Sequence, residues 1–289
     1  MLETLRDSLE TALGRSLGKF VTRPVGGGCI NESFVLEEVA TGDRFFVKKN
    51  RVSKAAMLEA EADGLAELAS VGAIRIPQRI CLGESRDHAF LVLEYLDLQR
   101  RGDEERMGRE LAQLHRVTSG NGNHGWQRDN FIGETPQSNT WTKSWSEFFA
   151  QERIERQLVL AKARGPDIAG GEALVERIPD LLESHAPVPS LLHGDLWGGN
   201  AGFDGEGAPV LFDPAVYYGD RETDLAFTEM FGGFSAGFYG AYREAFPLED
   251  GYERRRTLYN VYHILNHFVL FGGGYRRQAE RMIDELLAL

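Results

Sequence analysis

Residues 191–200 hold the side chains whose types and spacing are most typical of catalysis. An apolar lead-in is followed by His193 and Asp195, and Asn200 stands five residues after Asp195. Kinase catalytic loops use this spacing, because the aspartate accepts or orients the proton of a substrate hydroxyl and the asparagine reaches a metal ion. We therefore interpret Asp195 as a candidate catalytic base and Asn200 as a candidate metal ligand.

A second carboxylate, Asp213, follows Asn200 by thirteen residues and ends a short apolar segment. A carboxylate at the end of a strand is suited to bind the Mg²⁺ ion that bridges the phosphates of ATP. Asp213 is therefore predicted to be a metal ligand. The alternative is purely structural: Asp195 would cap a turn and Asp213 would cap a helix.

Lys48 ends an apolar strand and is predicted to pair with Glu61 in the following helix. Glu61 shares the helical spacing of the leucines around it, so it lies on an apolar face, where an unpaired carboxylate is costly. A strand lysine paired with a helix glutamate positions the ATP phosphates in kinases. Two alternatives remain open: Lys49 as the inward lysine after a one-residue register shift, and Glu59 as the acid.

The segment 26–33 places three consecutive glycines between two predicted strands. Glycines let backbone amides approach phosphates closely, although this segment fits neither the Walker A nor the Gly-x-Gly-x-x-Gly pattern. A simple turn is the alternative. Cys29 in this loop is either a small filling residue or a thiol whose oxidation blocks nucleotide entry. The candidate nucleotide contacts here are Gly26, Gly27, Gly28 and Ser33.

The predicted elements run from a β-rich piece to an α-rich piece, which favours an α+β fold with two lobes. We divide the chain into an N-terminal nucleotide-binding lobe, residues 1–96, and a larger helical catalytic and substrate lobe, residues 97–289. Residues 123–139, rich in Gly, Asn and Gln, are predicted to form an ordered loop or a lid. Strands are predicted at 21–25, 33–36, 44–48, 89–95 and within 200–213, and helices at 1–14, 53–70, 104–117, 143–163, 171–184 and 252–271.

Composition excludes several classes of protein. The chain has 32 Lys and Arg residues against 44 Asp and Glu residues, a formal net charge of −12, which argues against a nucleic-acid partner. No apolar run reaches the roughly 18 residues needed to cross a bilayer. Residues 1–14 are amphipathic and lack the continuous apolar core of a signal peptide. We therefore expect a cytoplasmic protein without a membrane partner. Two cysteines, Cys29 and Cys81, are too few for a disulfide framework or a zinc site.

Taken together, these motifs resemble the fructosamine/ketosamine kinase family, in the aminoglycoside-phosphotransferase branch of the protein-kinase-like fold. The resemblance spans nearly the whole chain. Two segments separate this family from related aminoglycoside and choline kinases: His-Gly-Asp-Leu-Trp-Gly-Gly-Asn at 193–200 and Asn-Phe-Ile-Gly-Glu-Thr-Pro-Gln at 130–137. Further matching segments are Gly26–Gly28, Phe46–Lys48, Glu61–Leu65, Asp213–Ala215, Phe231–Phe234 and Leu265–His267.

The resemblance implies phosphoryl transfer from ATP, with Mg²⁺, to a sugar hydroxyl of a ketosamine, usually O3, on a free or protein-bound amine, as a step of deglycation. By similarity Asp195 is the proton acceptor, Asn200 and Asp213 bind the metal, and Lys48 contacts phosphate. The backbone of a hinge would bind adenine. The hinge residues are Leu93, Glu94, Tyr95 and Leu96, and the candidate substrate contacts are His193, Trp197, Asp220 and Glu222.

Some points stay open in the sequence. Some family members carry His where this chain has Asp220, so preference among sugar-amine adducts could differ if that position touches substrate. Residues 123–139, with one or two tryptophans, would cover the sugar. A monomer is expected, with a dimer through Cys29 as the alternative. One rival is a kinase of the same fold acting on an aminoglycoside, choline or another amino-alcohol. The other rival is a nucleotide-binding module without transfer activity, which the complete set of catalytic residues argues against.

Overall fold

The computed structural model describes residues 1–26 and 30–289, in which strands concentrate in the first hundred residues and helices in the rest. Gly27, Gly28 and Cys29 lie outside the described residues. The chain folds into two compact units. Unit 1 comprises Met1–Gly102 with Gly202–Asp213, and unit 2 comprises Asp103–Ala201 with Pro214–Leu289. The domain boundary between residues 96 and 97 stays a prediction. The two compact units separate after Gly102, and residues 202–213 belong to unit 1.

Unit 1 is an antiparallel sheet covered by two helices. Its five strands lie in the order β1-β2-β3-β5-β4, and a further short hairpin, β9–β10, completes the unit. The register pairs Ser33 with Lys48 and Phe46 with Leu93. The elements are α1 Leu2–Leu13, β1 Phe20–Pro24, β2 Glu32–Glu38, β3 Arg44–Arg51, α2 Ala55–Val71, β4 Arg79–Glu84, β5 His88–Glu94, β9 Ala201–Phe203 and β10 Pro209–Leu211.

Alternation along the strands builds the core of unit 1. Leu36 and Val47 are completely buried on one face of the sheet, and α1 packs there through Leu5 and Leu9. The spacing of the two leucines matches the helical period, so one stripe of α1 faces the sheet. Leu2, at the N-terminal end of the same stripe, is 56% exposed.

The β9–β10 hairpin carries the chain to Asp213. Asp204 accepts hydrogen bonds from the backbone of Glu206 and Ala208 and so closes the turn. The Leu211 N–H donates to the Arg75 carbonyl over 3.0 Å, which anchors the second strand to the end of α2. Asp213 follows β10 by two residues, so the backbone that leads to it is held by these hydrogen bonds.

Unit 2 is mainly helical, with short paired strands. β8 pairs with β11 and β6 pairs with β7, in both cases antiparallel. A π-helical segment, Phe149–Glu155, interrupts the helix between α4 and α5. The elements are α3 Glu104–Leu114, β6 Asn130–Ile132, β7 Thr135–Gln137, α4 Trp145–Phe148, α5 Arg156–Ala161, α6 Gly171–Leu181, β8 Ser190–Leu192, β11 Tyr217–Gly219, α7 Glu222–Thr228, α8 Ala236–Ala245, α9 Tyr252–Phe271 and α10 Tyr275–Leu287.

The sequence predicts either an ordered loop or a lid for residues 123–139, and the structure has the ordered alternative: β6 and β7 make a hairpin whose side chains Asn130 and Gln137 are 3% and 2% exposed. The helix predicted at 143–163 contains the π-helical segment, which no periodicity of the sequence revealed. By contrast, α9 has the predicted bounds and ends before Gly272, which has a positive φ. Among residues 1–26 and 30–289, no helix combines the length and apolar character that a membrane span requires.

The packing of α1 predicts the effect of shortening Leu9. Leu9→Ala removes a fully buried side chain and leaves a cavity beside β5, so the free energy of unfolding should fall by about 2–5 kcal/mol. Chemical denaturation followed by circular dichroism measures the loss. Leu2→Ala is the matched control at the exposed N-terminal end of α1 and should change stability by less than about 0.5 kcal/mol. Equal losses in the two variants would show that α1 does not pack as described.

Candidate active site

Within unit 1, the ammonium group of Lys48 lies between two carboxylates. Its Nζ donates to Glu61 Oε1 over 2.5 Å and also to Asp213 Oδ1. The side chains of Lys48 and Glu61 are 6% and 13% exposed, whereas that of Asp213 is 43% exposed. The predicted strand-to-helix ion pair is therefore present, and Asp213 is its accessible member.

The strand register resolves the alternatives left open by the sequence. Lys48 points toward α2, while Lys49 points away and pairs with Glu32 over 2.7 Å. Glu59 is exposed on the other side of α2. The inward lysine is Lys48, and its helix partner is Glu61.

Electrostatics keep the Lys48 side chain charged. Burial favours the neutral form of Lys48, but the carboxylates of Asp213 and Glu61 outweigh it and hold the pKa of Lys48 above its ordinary value. Burial raises the pKa of Glu61, with Lys48 acting in the opposite direction. A lysine held in this way stays cationic at any physiological pH, as a phosphate contact must.

Asp213 has an unusual backbone conformation. Its φ is 57°, the one positive φ at a non-glycine residue among those described. This left-handed region is uncommon for L-residues, although Asp and Asn adopt it more readily than most. Strained residues of this kind concentrate at functional sites, where the surrounding structure holds them in place.

In unit 2, strand β8 delivers the loop that carries Asp195. Leu191 and Leu192 are buried, and the chain then turns at Gly194, whose φ is 80°. A Cβ at Gly194 would collide with the Ala215 carbonyl, so this turn requires glycine. The Ala215 N–H donates to the His193 carbonyl over 2.8 Å, which fastens the loop to the segment that leads into β11.

Asp224, at the start of α7, clamps this loop from inside. Its two carboxylate oxygens accept the N–H groups of His193 (2.7 Å) and Gly194 (2.9 Å). His115 Nε2 lies 3.1 Å from Asp224 Oδ2. Burial would raise the pKa of Asp224, but the His115 hydrogen bond and the charges and N–H donors around it lower it below the usual value. Asp224 thereby fixes the backbone of the two residues that precede Asp195.

Asn200 is directed at Asp195, as the five-residue spacing predicts. The Asn200 Nδ2 group donates to the Asp195 carbonyl (2.8 Å) and to Asp195 Oδ2 (2.9 Å). Asn200 is 6% exposed, whereas Asp195 is half-buried. A carboxylate oriented by an amide, with solvent access, can accept a proton from a bound hydroxyl.

Three of the four candidate substrate contacts are corrected. His193 is fully buried, and its Nδ1 lies 3.3 Å from the Asp195 N–H. Asp220 is 1% exposed and is bound by Tyr259 and His185, while Glu222 is 1% exposed and forms an ion pair with Arg255. These side chains stabilise the interior, and none of them is accessible to a substrate.

The tryptophans divide into core and surface groups. Trp126 and Trp145 are each 3% exposed and anchor the core, so they do not cover a sugar. Trp197, two residues after Asp195, is 39% exposed and packs edge-on against Phe231. Trp197 stays a predicted substrate contact. His263 and His267 have the spacing of metal ligands but make other contacts. His263 stacks on the Phe227 ring, and His267 Nδ1 donates a hydrogen bond to the His263 carbonyl.

The remaining nucleotide-binding predictions fall in unit 1. Leu93 is buried in β5, and the Glu94 N–H already donates to the Gln78 carbonyl over 2.9 Å. Tyr95 and Leu96 follow the strand, outside its hydrogen-bonded register. Ser33 is half-buried in β2, and Gly26 precedes the part of the loop that lies outside the described residues.

The lysine–glutamate pair on an antiparallel sheet, with a clamped Asp–Asn loop in a helical unit, defines a phosphotransferase of the protein-kinase-like fold. The fructosamine kinase family model matches residues 1–289. A probable ketoamine kinase of Synechocystis sp. is 45% identical over 289 residues, covering 99% of this chain and 97% of that protein. A chloroplastic protein-ribulosamine 3-kinase of Arabidopsis thaliana is 41% identical over 270 residues, covering 92% and 82%. The chain belongs to the fructosamine kinase family.

Solved structures agree with this assignment. The crystal structure of a "putative fructosamine-3-kinase" from Haemophilus somnus has a TM-score of 0.93 at 31% identity, covering 99% of this chain and 98% of that one. A spectinomycin phosphotransferase in complex with ADP and spectinomycin has a TM-score of 0.57 at 14% identity, over 98% of this chain and 93% of that one. The second likeness is one of fold alone.

The buried histidine next to Asp220 predicts a dependence of stability on pH. Burial lowers the pKa of His185, but its hydrogen bond and attraction to Asp220 outweigh this and raise the pKa above the usual value. Glu249 lies 2.8 Å from the other ring nitrogen, and Arg255 and Glu222 also act on the ring. Protonated His185 therefore stabilises the fold at pH values below the unfolded pKa of about 6.5, and this contribution is lost as pH rises through the folded pKa.

We expect the stability difference between wild type and His185→Gln to be largest near pH 5.5 and to shrink toward pH 9. Urea denaturation at a series of pH values measures it. Glu249→Gln removes a carboxylate that is 60% exposed, so that variant should show a smaller effect of the same sign. A difference that stays constant over this range would contradict a raised pKa for His185.

Proposed function

We propose that this protein is an ATP-dependent ketosamine kinase that phosphorylates the sugar O3 hydroxyl of fructosamines or ribulosamines on free or protein-bound amines. The observation that carries the proposal is the Asp195 carboxylate, half-buried, oriented by Asn200 and fixed through the loop clamped by Asp224. The substrate class is inferred from the family and from the relative described as a protein-ribulosamine 3-kinase.

The residues present fit a Mg²⁺-bound nucleotide. Mg²⁺ prefers oxygen ligands and usually takes one or two carboxylates together with phosphate oxygens. Asp213 offers a partly exposed carboxylate, and Asn200 offers a carboxamide. When bound, the ion would neutralise charge that develops on the phosphates during transfer. Lys48 would steady the phosphates, with Glu61 holding its ammonium in place.

Asp195 performs the proton chemistry in this proposal. The acceptor hydroxyl donates a hydrogen bond to an Asp195 carboxylate oxygen and transfers its proton there as the oxygen attacks the γ-phosphorus of ATP, whose bond to the bridging oxygen breaks so that ADP leaves. Asn200 fixes the rotation of that carboxylate. The adenine would be bound by backbone groups of the hinge. Because the Glu94 N–H is already used by Gln78, Tyr95 and Leu96 are the hinge residues best able to offer backbone groups.

Phosphorylation at O3 would make the ketosamine chemically unstable. Phosphate leaves more readily than hydroxide, so an O3-phosphorylated ketosamine is prone to eliminate it and to release the amine. The reaction would thus begin the removal of sugar from glycated amines. A kinase of the same fold acting on an aminoglycoside, choline or another amino-alcohol is the alternative, and the acceptor assay separates the two.

The proposal predicts which acceptors consume ATP. With Mg²⁺ and ATP, ADP release should rise with fructoselysine or ribuloselysine and stay at background with choline or an aminoglycoside. Phosphorus NMR of the product should locate the new phosphate on O3. Phosphorylation of an amino-alcohol in preference to the sugar adducts would reject the ketosamine assignment and keep the kinase.

Asp195→Asn tests the base. Loss of the proton acceptor should lower kcat about 10²–10⁴-fold, which is the range of general-base effects, while Mg·ADP binding measured by calorimetry stays close to wild type. Asp180→Asn, on the surface of α6 with a carboxylate that is 66% exposed, is the matched control and should keep full turnover. Undiminished turnover in Asp195→Asn would remove Asp195 from the mechanism.

A further inference from the structure

The hairpin β6–β7 carries a set of interior amides that the mechanism above does not use. We name the side chains of Asn130, Gln137 and Asn139 the amide cluster. They are 3%, 2% and 1% exposed. Gln137 Nε2 donates to Asn130 Oδ1 over 2.8 Å, and Asn139 Nδ2 donates to the same oxygen over 2.9 Å. The three amides therefore form one connected hydrogen-bond network.

The amide cluster holds the backbone that follows the Asp213-Pro214 step. Gln137 Nε2 donates to the Ala215 carbonyl over 3.0 Å, and Asn130 Nδ2 donates to the Val216 carbonyl over 2.7 Å. Both carbonyls precede β11, so no strand neighbour satisfies them. Buried carbonyls require partners, and here two side-chain amides supply what a paired strand would otherwise supply.

The same peptide segment is attached to the catalytic loop. The Ala215 N–H donates to the His193 carbonyl, and Gly194 packs directly against the Ala215 carbonyl. Ala215 is thus held by Gln137 through its C=O and by the loop through its N–H. A shift of the Gln137 amide would be transmitted to the backbone of His193 and Gly194, the two residues before Asp195.

A second connection runs from Gln137 to α9. The Tyr262 hydroxyl donates to Gln137 Oε1 over 2.6 Å. Gln137 therefore uses both amide hydrogens and its oxygen at once, and it joins the segment before β11 to α9.

Arg153 in the π-helical segment anchors the far end of the network. Its guanidinium donates to Asn139 Oδ1 (2.8 Å) and to the Ser138 carbonyl (2.6 Å). It also lies over the Tyr217 ring, 4.0 Å from the centroid. Arg153 is fully buried, and it forms no ion pair with a carboxylate of residues 1–26 or 30–289.

Stability alone gives little reason for such a network. A buried polar group contributes little net free energy when paired, and apolar residues of similar volume are often equally stable. A satisfied network restricts its members to one geometry, and Gln137 makes all three of its hydrogen bonds, although Arg153 Nε is buried without a partner among the residues that the structure describes. This points to a role in setting the position of the backbone to which the amide cluster is bound.

We propose that Gln137 is a positioning residue of the catalytic loop, which acts on Asp195 through the Ala215 peptide. The proposal rests on the proposed function in that Asp195 is the proton acceptor. Asn130, Asn139 and Arg153 hold the Gln137 amide in its orientation.

Gln137→Met tests the proposal, because it keeps the length of the side chain and removes all three hydrogen bonds. A displacement of the base by a fraction of an ångström should lower kcat roughly 10–100-fold. KM for ATP should stay within about twofold, since ATP binding does not depend on proton transfer. Activity is expressed per folded molecule, from circular dichroism at the assay temperature, with whichever acceptor the wild type phosphorylates.

Thr135→Val is the matched control in the same strand, β7. Thr135 is 3% exposed, and its hydroxyl has no partner among the residues that the structure describes. Valine has nearly the same shape, so kcat should be unchanged. Tyr262→Phe removes only the hydroxyl that Gln137 accepts and should lower kcat several-fold. It serves as the second test should Gln137→Met fold poorly.

A double-mutant cycle separates positioning from simple loss of stability. The effects of Gln137→Met and Tyr262→Phe on kcat should be strongly non-additive, because both break the same hydrogen bond. Combined with Thr135→Val, the effect of Gln137→Met should be unchanged. Normal kcat per folded molecule in both Gln137→Met and Tyr262→Phe, with only a lower melting temperature, would overturn the proposal.

The same measurements distinguish this proposal from the proposed function. If the wild type phosphorylates an amino-alcohol and no ketosamine, the substrate assignment fails while the comparison of variants still decides the role of Gln137. If Asp195→Asn loses turnover and Gln137→Met does not, the positioning proposal alone fails. If Asp195→Asn keeps turnover, the role of Asp195 as proton acceptor fails, and the positioning proposal fails with it.

Discussion

The cost of placing charged groups away from water is the constraint on which both units depend. Lys48, Asp224 and Arg153 are 5%, 2% and 0% exposed. Lys48 is accommodated by two carboxylates, Asp224 by N–H donors and a histidine, and Arg153 by carbonyl groups and aromatic faces. Because a buried charge that loses a partner is strongly destabilised, each of these groups fixes the geometry of its neighbours. Each unit therefore has a charged group about which its functional side chains are arranged.

The parts of the site that could be predicted from sequence depend on short-range spacing. Asp195 and Asn200 are five residues apart in one loop, and their hydrogen bond follows from that separation. The pair of Lys48 with Glu61 could be predicted because a carboxylate on the apolar stripe of a helix requires a cation, and the nearest strand offers one. In such cases the local pattern and the physical requirement point to the same residues.

The parts that could not be predicted depend on contacts between distant segments. Gln137 bonds the Ala215 carbonyl 78 residues away and the Tyr262 hydroxyl 125 residues away. Its amide-rich surroundings predict an ordered loop or a lid, because composition carries no information about which amides become buried. The family resemblance makes His193, Asp220 and Glu222 candidate substrate contacts, whereas the fold uses them as interior partners. The π-helical segment likewise leaves no periodic trace in the sequence.

The left-handed backbone of Asp213 limits how this position can change during evolution. Two demands meet there: an anionic oxygen beside Lys48, and a φ of 57° that only a few residue types adopt readily. Asparagine would meet the second demand without the first, and glutamate would supply the charge on a side chain less suited to that conformation. No single replacement meets both demands, so a lineage that drifted from aspartate here would have few neutral intermediates through which to return.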